Sequence, residues 1–244
     1  MIAILDSGLT DGSLGGLRKR EVGPRPQADL IGHSTAVTTL AVGSGDLGVW
    51  GAAPKARVLS VSVVDESGQI SEQAVVAGIY AAVQQGASVI NMSFGQASDS
   101  PLIRAAIDYA AGRGVVMVAA GGDTTSPTAL FPADVVGEVI AVRALTEKGE
   151  PLPSSNPVGS NGVDAPGENL PAVRVQNGTL VEVGSNGSSM AAAVVSGSVA
   201  LLEACAHRKS GSALSSTTIL GALRDSEGRG PWFNLRVALR IIGC

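Results

Sequence analysis

An α/β fold of three layers, with a mostly parallel central sheet and helices on both faces, is predicted by three features of the sequence. Short segments rich in Val and Ile are apolar throughout, as buried parallel strands are, at 2–5, 57–63, 88–92, 115–120 and 139–143. Segments with a helical pattern alternate with them, at 34–42, 71–85 and 101–112. Finally, 45% of the residues are hydrophobic and 16% are charged, which indicates a large core, and 244 residues fit one domain over 1–244.

Local signals indicate where the first helices begin and end. Ser71 and Ser100 are suitable N-caps, and Pro101 follows Ser100 at the first helical position. Gly86 is placed to end the helix that begins after Ser71.

The second half of the chain begins with a segment of different composition. Residues 144–171 are rich in Pro, Ser, Asn and Gly and are expected to be mostly loop. Asn177-Gly178 follows, between β-rich runs at 172–176 and 179–183, and predicts a hairpin. Two further helices are expected near 213–224 and 234–242.

Composition excludes several classes of partner. The net charge of −4 argues against nucleic acid or an anionic membrane as the main partner. Because there is no run of about 18 apolar residues, no membrane span is expected. The N-terminus has no basic region or cleavage site typical of a signal peptide. Cys205 and Cys244 are too few for a disulfide framework, which predicts a reducing, cytoplasmic setting.

The stretch from Gly187 to Ala193 is a polar, Gly-rich turn that runs into a long apolar helical segment. The free N–H groups and the positive dipole end of a helix favour developing negative charge. Ser188 and Ser189 lie at this helix start. Either one could cap the helix, and either one could be a nucleophile.

Two further residues are candidates for acid–base chemistry. Asp6 lies at the end of the first predicted strand, where functional groups of parallel sheets gather, although an aspartate there also suits a turn. His33 opens an apolar helix among small residues, and it is either a general base or a structural histidine. His207 is expected to be solvated at the C-terminal end of a helix, where a cation suits the dipole.

The segment Ser93-Phe94-Gly95 follows the third predicted strand. An extended edge with a glycine is suited to pairing with a peptide backbone by strand addition. An ordinary strand terminus is the alternative.

Taken together, these segments occur in the order Asp, His, substrate strand, Ser, and they resemble the subtilisin-like serine peptidases, or subtilases. The matching segments are Asp-Ser-Gly at 6–8, Gly-His-Ser-Thr at 32–35, Asn-Met-Ser-Phe-Gly at 91–95 and Gly-Ser-Ser-Met-Ala at 187–191. Connecting segments at 51–56 and 164–167 match as well. The resemblance covers nearly all of 2–240 and implies a subtilisin-like fold.

The resemblance also implies a role for each matching residue. Ser189 resembles the nucleophile, His33 the base that takes its proton, and Asp6 the carboxylate that orients the imidazole. Gly122 and Ser189 correspond to the oxyanion region. The residues expected to bind the substrate are Glu66, Ser67, Gly68, Ser93, Phe94, Gly95, Ala119, Ala120, Gly121 and Leu130. Because Leu130 stands where the family often has Gly, we expect a shortened pocket that favours small or medium side chains at P1, the residue before the scissile bond.

Gly122 is the most important departure from the family's pattern. The family has an Asn there, whose side-chain amide donates to the oxyanion, so slow turnover is expected. Replacing Gly122 by Asn should then raise turnover unless another amide already fills the role. Asn161, Asn186 and Asn91 are the candidates for that amide.

Other departures are milder. Ser34 replaces the Gly after the histidine, Ala36 replaces a second His, and Ala193 replaces a Pro, which should let the helix run on smoothly. The loop at 42–49 has one acidic residue, Asp46, so the calcium site of relatives is not expected, and no metal or cofactor is predicted. Since the chain starts at the first core strand, we expect a small variant without a pro-segment.

The sequence therefore predicts a serine endopeptidase that carries out limited processing of a peptide or protein substrate. The alternative is a catalytically impaired relative that binds a peptide or partner without efficient cleavage, which Gly122 and Ser34 favour. Acyl transfer to a group other than water would use the same three residues. The sequence does not indicate an oligomeric state.

Overall fold

The structure, a computed structural model, describes residues 1–9, 14, 19–22, 29, 32–64, 69–227 and 232–244. Within them, seven strands form one sheet in the order β2-β3-β1-β4-β5-β6-β7, and each neighbouring pair is parallel. Their bounds are β1 Ile2–Asp6, β2 Lys19–Val22, β3 Val58–Ser62, β4 Val89–Met92, β5 Val116–Ala120, β6 Val139–Leu145 and β7 Gly162–Pro166.

The predicted α/β fold with a parallel sheet is confirmed, and the five predicted strands are β1, β3, β4, β5 and β6. The two edge strands were not predicted. β7 lies inside 144–171; most of this segment is loop, as expected, but the strand within it was not predicted. Its Gly162, Asp164 and Pro166 are poor strand formers, and an edge position tolerates them. A two-pronged ion pair between Arg143 of β6 and Asp164 of β7, with Nε 2.8 Å from Oδ1, ties this edge to the sheet.

Helices cover both faces of the sheet. They are α1 His33–Val42, α2 Glu72–Gln84, α3 Pro101–Ala111, α4 Ser188–Ser210, α5 Ser216–Asp225 and α6 Leu235–Ile241. Side chains alternate along β1, so that Ile2 and Ile4 pack with α1 and α4 while Ala3 and Leu5 pack with α2 and α3. α5 and α6 pack on the same side of the sheet as α1 and α4. The result is the three-layer arrangement.

The helix ends follow the sequence signals. Ser71 accepts a hydrogen bond from the Ala74 N–H at 3.3 Å, and Ser100 accepts one from the Ile103 N–H at 3.1 Å, so both serve as N-caps. Pro101 lies in the first turn of α3. Gly86 has φ of 76°, as a residue just past a helix often does.

A separate two-stranded hairpin leads into α4. It consists of β8 Leu170–Gln176 and β9 Thr179–Ser185, joined at Asn177 and Gly178, both of which have positive φ. The predicted hairpin is confirmed, with each strand about two residues longer than expected. β8 also packs against α1, where Val173 N–H donates to Thr39 Oγ1 at 3.1 Å.

α4 is the central helix of the fold. It continues without a break through Ala193 and ends in the basic residues His207, Arg208 and Lys209, with Gly211 as a left-handed C-cap. Among the described residues it is the one helix long and apolar enough to cross a membrane, but 72% of its apolar window is buried inside the protein. It is the core helix of a three-layer fold.

The two cysteines are paired. A disulfide joins Cys205 of α4 to Cys244 and so connects α4 to the end of the chain after α6. Two cysteines are too few for a disulfide framework, as expected, but they form this single bond. The cysteines therefore give no support to a reducing compartment.

Candidate active site

Asp6 and His33 form a close pair at the carboxyl end of the sheet. Asp6 ends β1 and is 6% exposed, and His33 is the first residue of α1. Nδ1 of His33 lies 2.9 Å from Oδ2 and 3.0 Å from Oδ1 of Asp6. The charge of Asp6 is the main cause that raises the pKa of His33, against the opposing effects of burial and of Arg174.

Gly32 lets α1 begin in the position that this pair requires. It has φ of 67°, and a Cβ there would lie 2.6 Å from the backbone N of Val175 in β8. A side chain would therefore be both strained and blocked. The start of α1 is held against the hairpin, with His33 directed at Asp6.

Ser189 lies in the first turn of α4 and is half-buried, whereas Ser188 is buried. Two hydrogen bonds join Ser189 to Ser93, which follows β4. The Ser189 hydroxyl donates to the Ser93 carbonyl at 3.1 Å, and the Ser93 hydroxyl donates to the Ser189 carbonyl at 3.0 Å. A cavity of about 200 Å³ brings Ser93 and the acid–base pair together; it is lined by Asp6, Ser7, His33, Val64, Ile70, Ser93 and Phe94.

The buried side chains of Asn91 and Ser196 form a hydrogen-bond chain that ends at the Ser93 hydroxyl. Asn91 Nδ2 donates to Ser93 Oγ at 2.9 Å, and Ser196 Oγ of α4 donates to Asn91 Oδ1 at 2.8 Å. Asn91 was a candidate for the oxyanion amide, but its amide is already engaged with Ser93. Asn161 Nδ2 likewise donates to the carbonyl of Ala133 at 2.8 Å.

The start of α4 is capped by a residue that the sequence did not indicate. Both carboxylate oxygens of Asp123 lie within hydrogen-bond distance of Ser188 N–H, at 2.9 and 3.0 Å. The Ser188 hydroxyl donates to Asp123 Oδ2 at 2.9 Å and accepts from Gly122 N–H at 3.1 Å. Neither serine caps its own helix, because Gly187 is the N-cap and has no side chain. The capping alternative is therefore excluded for both Ser188 and Ser189.

The space next to Gly122 is already filled. Gly122 has φ of 105°, and a Cβ there would lie 2.6 Å from Nδ2 of Asn156 and 2.8 Å from Cδ1 of Leu130. An asparagine at this position would be strained and would collide with both neighbours. Because of these contacts, we expect Gly122→Asn to destabilise the protein, which opposes any gain in turnover.

Asn156 is a further residue that the sequence analysis missed. It is fully buried, and its Oδ1 accepts from the N–H groups of Thr124 at 3.2 Å and Ser126 at 2.9 Å. Its Nδ2 donates to the Gly121 carbonyl at 3.2 Å. The side-chain amide of Asn156 thus holds the loop after β5 in place. Asn156 itself lies in a Pro- and Ser-rich segment, where no sequence pattern marks it out from its neighbours.

Leu130 lies between two of the segments expected to bind substrate. Its N–H donates to the Gly121 carbonyl at 2.9 Å, and a Cβ at Gly95 would come within 2.8 Å of Leu130 Cβ. The Leu130 side chain also lies next to Gly122, where a Cβ would be 2.8 Å from Leu130 Cδ1. Gln96 and Phe131 are paired in an antiparallel bridge that fixes the spacing of these segments.

The other expected substrate residues differ in exposure. Ser93 is buried, Phe94 is half-buried and Gly95 is exposed, whereas Ala119 and Ala120 are buried in β5. Glu66, Ser67 and Gly68 lie outside the described residues. Within the described part of the chain, no group of three or more His, Cys, Asp or Glu side chains could hold a metal ion.

Comparisons with known proteins agree with this geometry. The sequence profile of the subtilase family, Peptidase_S8, matches residues 2–231. Subtilisin DY of Bacillus licheniformis is 34% identical over 210 residues, which cover 82% of this chain and 75% of that protein. The major intracellular serine protease of Bacillus subtilis (strain 168) is 35% identical over 185 residues, covering 72% and 56%.

Among solved structures, the patellamide maturation protease PatA superposes with a TM-score of 0.84 at 26% identity, and the alignment covers 99% of this chain and 96% of that one. The chain spans about half to three quarters of the length of the curated relatives that it matches. The family match over residues 2–231, together with the parallel sheet and the four motifs at its carboxyl edge, shows that the chain belongs to the subtilase family of serine peptidases.

Proposed function

We propose that the chain is a serine endopeptidase in which Asp6, His33 and Ser189 form the catalytic triad, and that it carries out limited processing of a peptide or protein. The observation that carries this proposal is the contact of His33 Nδ1 with both oxygens of Asp6, in the cavity that Ser93 shares. Ser93 is hydrogen-bonded to Ser189 in both directions.

The geometry supports the following steps. The Ser189 hydroxyl leaves the Ser93 carbonyl and turns to Nε2 of His33, which takes its proton as the oxygen attacks the scissile carbonyl. Asp6 holds the Nδ1–H and stabilises the imidazolium. Collapse of the tetrahedral intermediate breaks the C–N bond, and His33 gives the proton to the leaving amine. Water, activated by His33, then releases the acid and regenerates Ser189.

The developing oxyanion is expected to be held by the N–H groups at the start of α4, that of Ser189 first. Gly122 supplies no side-chain amide. In subtilisin itself, removal of that amide lowers kcat by roughly 10²–10³, a value that belongs to subtilisin and not to this chain. The negative charge of Asp123 beside Ser188 also disfavours an oxyanion. We therefore propose slow turnover, in keeping with a processing enzyme.

The substrate class is supported by one of the structural neighbours. PatA is described as a maturation protease, and the exposed edge at Gly95 together with the pocket narrowed by Leu130 suits an extended peptide with a small P1 residue.

The similarity to an intracellular serine protease supports a cytoplasmic location. Trapping free thiols in freshly broken cells tests this, because a Cys205–Cys244 pair found fully oxidised there would contradict it.

Gly122 and Asp123 favour a second function, binding of a peptide without efficient cleavage. A fluorophosphonate probe separates the two, because it labels an activated serine covalently. We expect labelling of the wild type and of Ser198→Ala, a buried serine later in α4, and none of Ser189→Ala. A wild type that stays unlabelled while a known serine peptidase reacts would favour the binding function.

A further inference from the structure

A second buried carboxylate lies next to the proposed triad and has no part in the steps above. Asp29 is fully buried just before α1. Among the described residues, it accepts hydrogen bonds from Ser7 Oγ at 2.9 Å, from Thr35 N–H at 2.7 Å and from Thr35 Oγ1 at 2.6 Å. A buried carboxylate needs hydrogen-bond donors, and these donors belong to the two segments that carry Asp6 and His33.

On the strand side, Ser7 stands between the two carboxylates. Its N–H donates to Asp6 Oδ1 at 2.8 Å, and its hydroxyl lies 2.9 Å from Asp29 and 3.3 Å from Asp6 Oδ1. On the helix side, Thr35 lies in the same turn of α1 as His33, and Asp29 satisfies a first-turn N–H that has no partner within the helix. Asp29 therefore holds both sides of the Asp6–His33 contact.

We propose that Asp29 is a positioning residue for the active site, which fixes the end of β1 through Ser7 and the start of α1 through Thr35, so that His33 meets Asp6. The catalytic consequence of this role rests on the proposed peptidase function. The positioning itself does not, since it concerns the relation of an imidazole to two carboxylates.

Besides its hydrogen bonds to Ser7 and Thr35, Asp29 acts on His33 through its charge. Within the described part of the chain, the charged groups that act on His33 are Asp6 of β1, Asp29 before α1 and Arg174 of β8. The two carboxylates raise the pKa of His33, Asp6 more strongly, and Arg174 lowers it. Loss of the negative charge at Asp29 should therefore make the imidazolium less stable.

The experiment compares Asp29→Asn with the wild type by NMR titration of the imidazoles. The amide keeps the shape and one acceptor oxygen but loses the charge. The chain has two histidines, so His207, exposed at the far end of α4, is an internal reference. We expect the pKa of His33 to fall in Asp29→Asn, because a carboxylate that helps to raise it is lost, while the His207 signals are the same in both proteins. Asp108→Asn, a surface carboxylate on the other face of the sheet, is the matched control and should move neither.

A second variant separates the mechanical route from the charge. Ser7→Ala removes the hydroxyl between the carboxylates and leaves both charges, so kcat should fall several-fold with the pKa of His33 little changed. In Asp29→Asn, the acidic limb of the kcat profile should shift to lower pH by the amount that NMR finds. A folded Asp29→Asn protein with an unchanged pKa of His33 and an unmoved pH profile would overturn the proposal.

The outcomes also distinguish this proposal from the proposed function. If the pKa of His33 falls but no peptide is cleaved, Asp29 positions His33 in a protein that is not a peptidase. If peptides are cleaved and neither variant alters the pKa of His33 or kcat, the chain is a peptidase and Asp29 is only a helix cap.

Discussion

The imidazole of His33 is exposed to the active-site cavity on one side and bound to a carboxylate on the other. The side chain is 24% exposed, and that of Asp6 is 7% exposed. This partial exposure lets a proton leave from Nε2 while Nδ1 stays bound. The activity of the proposed peptidase should therefore depend on the protonation of this residue.

The first prediction concerns that pH dependence. In the proposed mechanism His33 must be neutral, and since its pKa is raised, the acidic limb of kcat/KM should lie above pH 6.5, the ordinary value for histidine. The stability effect has the opposite sign. The charged pair stabilises the fold fully below pH 6.5, and this contribution is lost as the pH rises through the raised pKa. A kcat/KM profile with its acidic midpoint below 6.5 would contradict the assignment.

The second prediction concerns Gly122. Gly122→Asn should destabilise the protein by about 1–3 kcal/mol, because it combines positive φ with collisions at Asn156 and Leu130. Gly137→Asn is a matched control, since Gly137 has φ of 102° and nothing within 4 Å of its Cβ position. Thermal unfolding should show a larger loss at Gly122 than at Gly137. Equal losses, or a faster enzyme, would show that the loop yields.

At the scale of elements, the site is assembled from segments that meet because β1, β4 and β5 are neighbours in the sheet. β1 contributes Asp6, the segment after β4 contributes Ser93, and the loop after β5 contributes Gly122 and Asp123. α4 returns to the same edge with Ser189. Leu130 lies close to both Gly95 and Gly122, so we expect its side chain to set the width of the proposed substrate pocket.

The third prediction concerns this width. Leu130→Gly should open the pocket and raise kcat/KM for substrates with Phe at P1, by roughly 10–200-fold relative to Ala at P1. The Ala substrate should change little, since its side chain does not reach Leu130. A P1 peptide library measures both. A wild type that already prefers aromatic residues would contradict the shortened pocket.

Sequence reasoning reached the central elements of the fold and missed its edges. The buried strands can be predicted locally, because short continuous runs of Ile, Val and Met are typical of parallel strands that are covered on both faces. β7 carries none, because Gly162, Asp164 and Pro166 become a strand only when β6 pairs with them. Asp123 shows the same limit at the site, since a cap supplied from 65 residues away along the chain leaves no local pattern.

At the scale of the whole molecule, α4 connects the site to the end of the chain. Its first turn holds Ser189 and its last turns hold Cys205, which is bonded to Cys244 across a sequence separation of 39 residues. The disulfide therefore closes a loop that contains α5 and α6. Both helices contribute to the core that faces α1 and α4.

The fourth prediction tests this closure. Reduction, or the Cys244→Ser substitution, should cost about 2–4 kcal/mol, which for a chain of this size lowers the Tm by roughly 5–15 °C. Reductant should have no additional effect on Cys244→Ser. If the wild type melts at the same temperature with and without reductant, the bond does not stabilise the fold.

The alternation of side chains along β1 has a consequence for how this chain tolerates change. The side chains of Ile2, Ile4 and Asp6 lie on the same face of β1, and this face is directed at α1 and α4. Substitutions along the strand alter packing locally. Deletion of a single residue between Ile2 and Asp6 would instead exchange the two faces and turn the carboxylate away from His33. The geometry of the proposed active site therefore depends on the number of residues in β1 as well as on their identity.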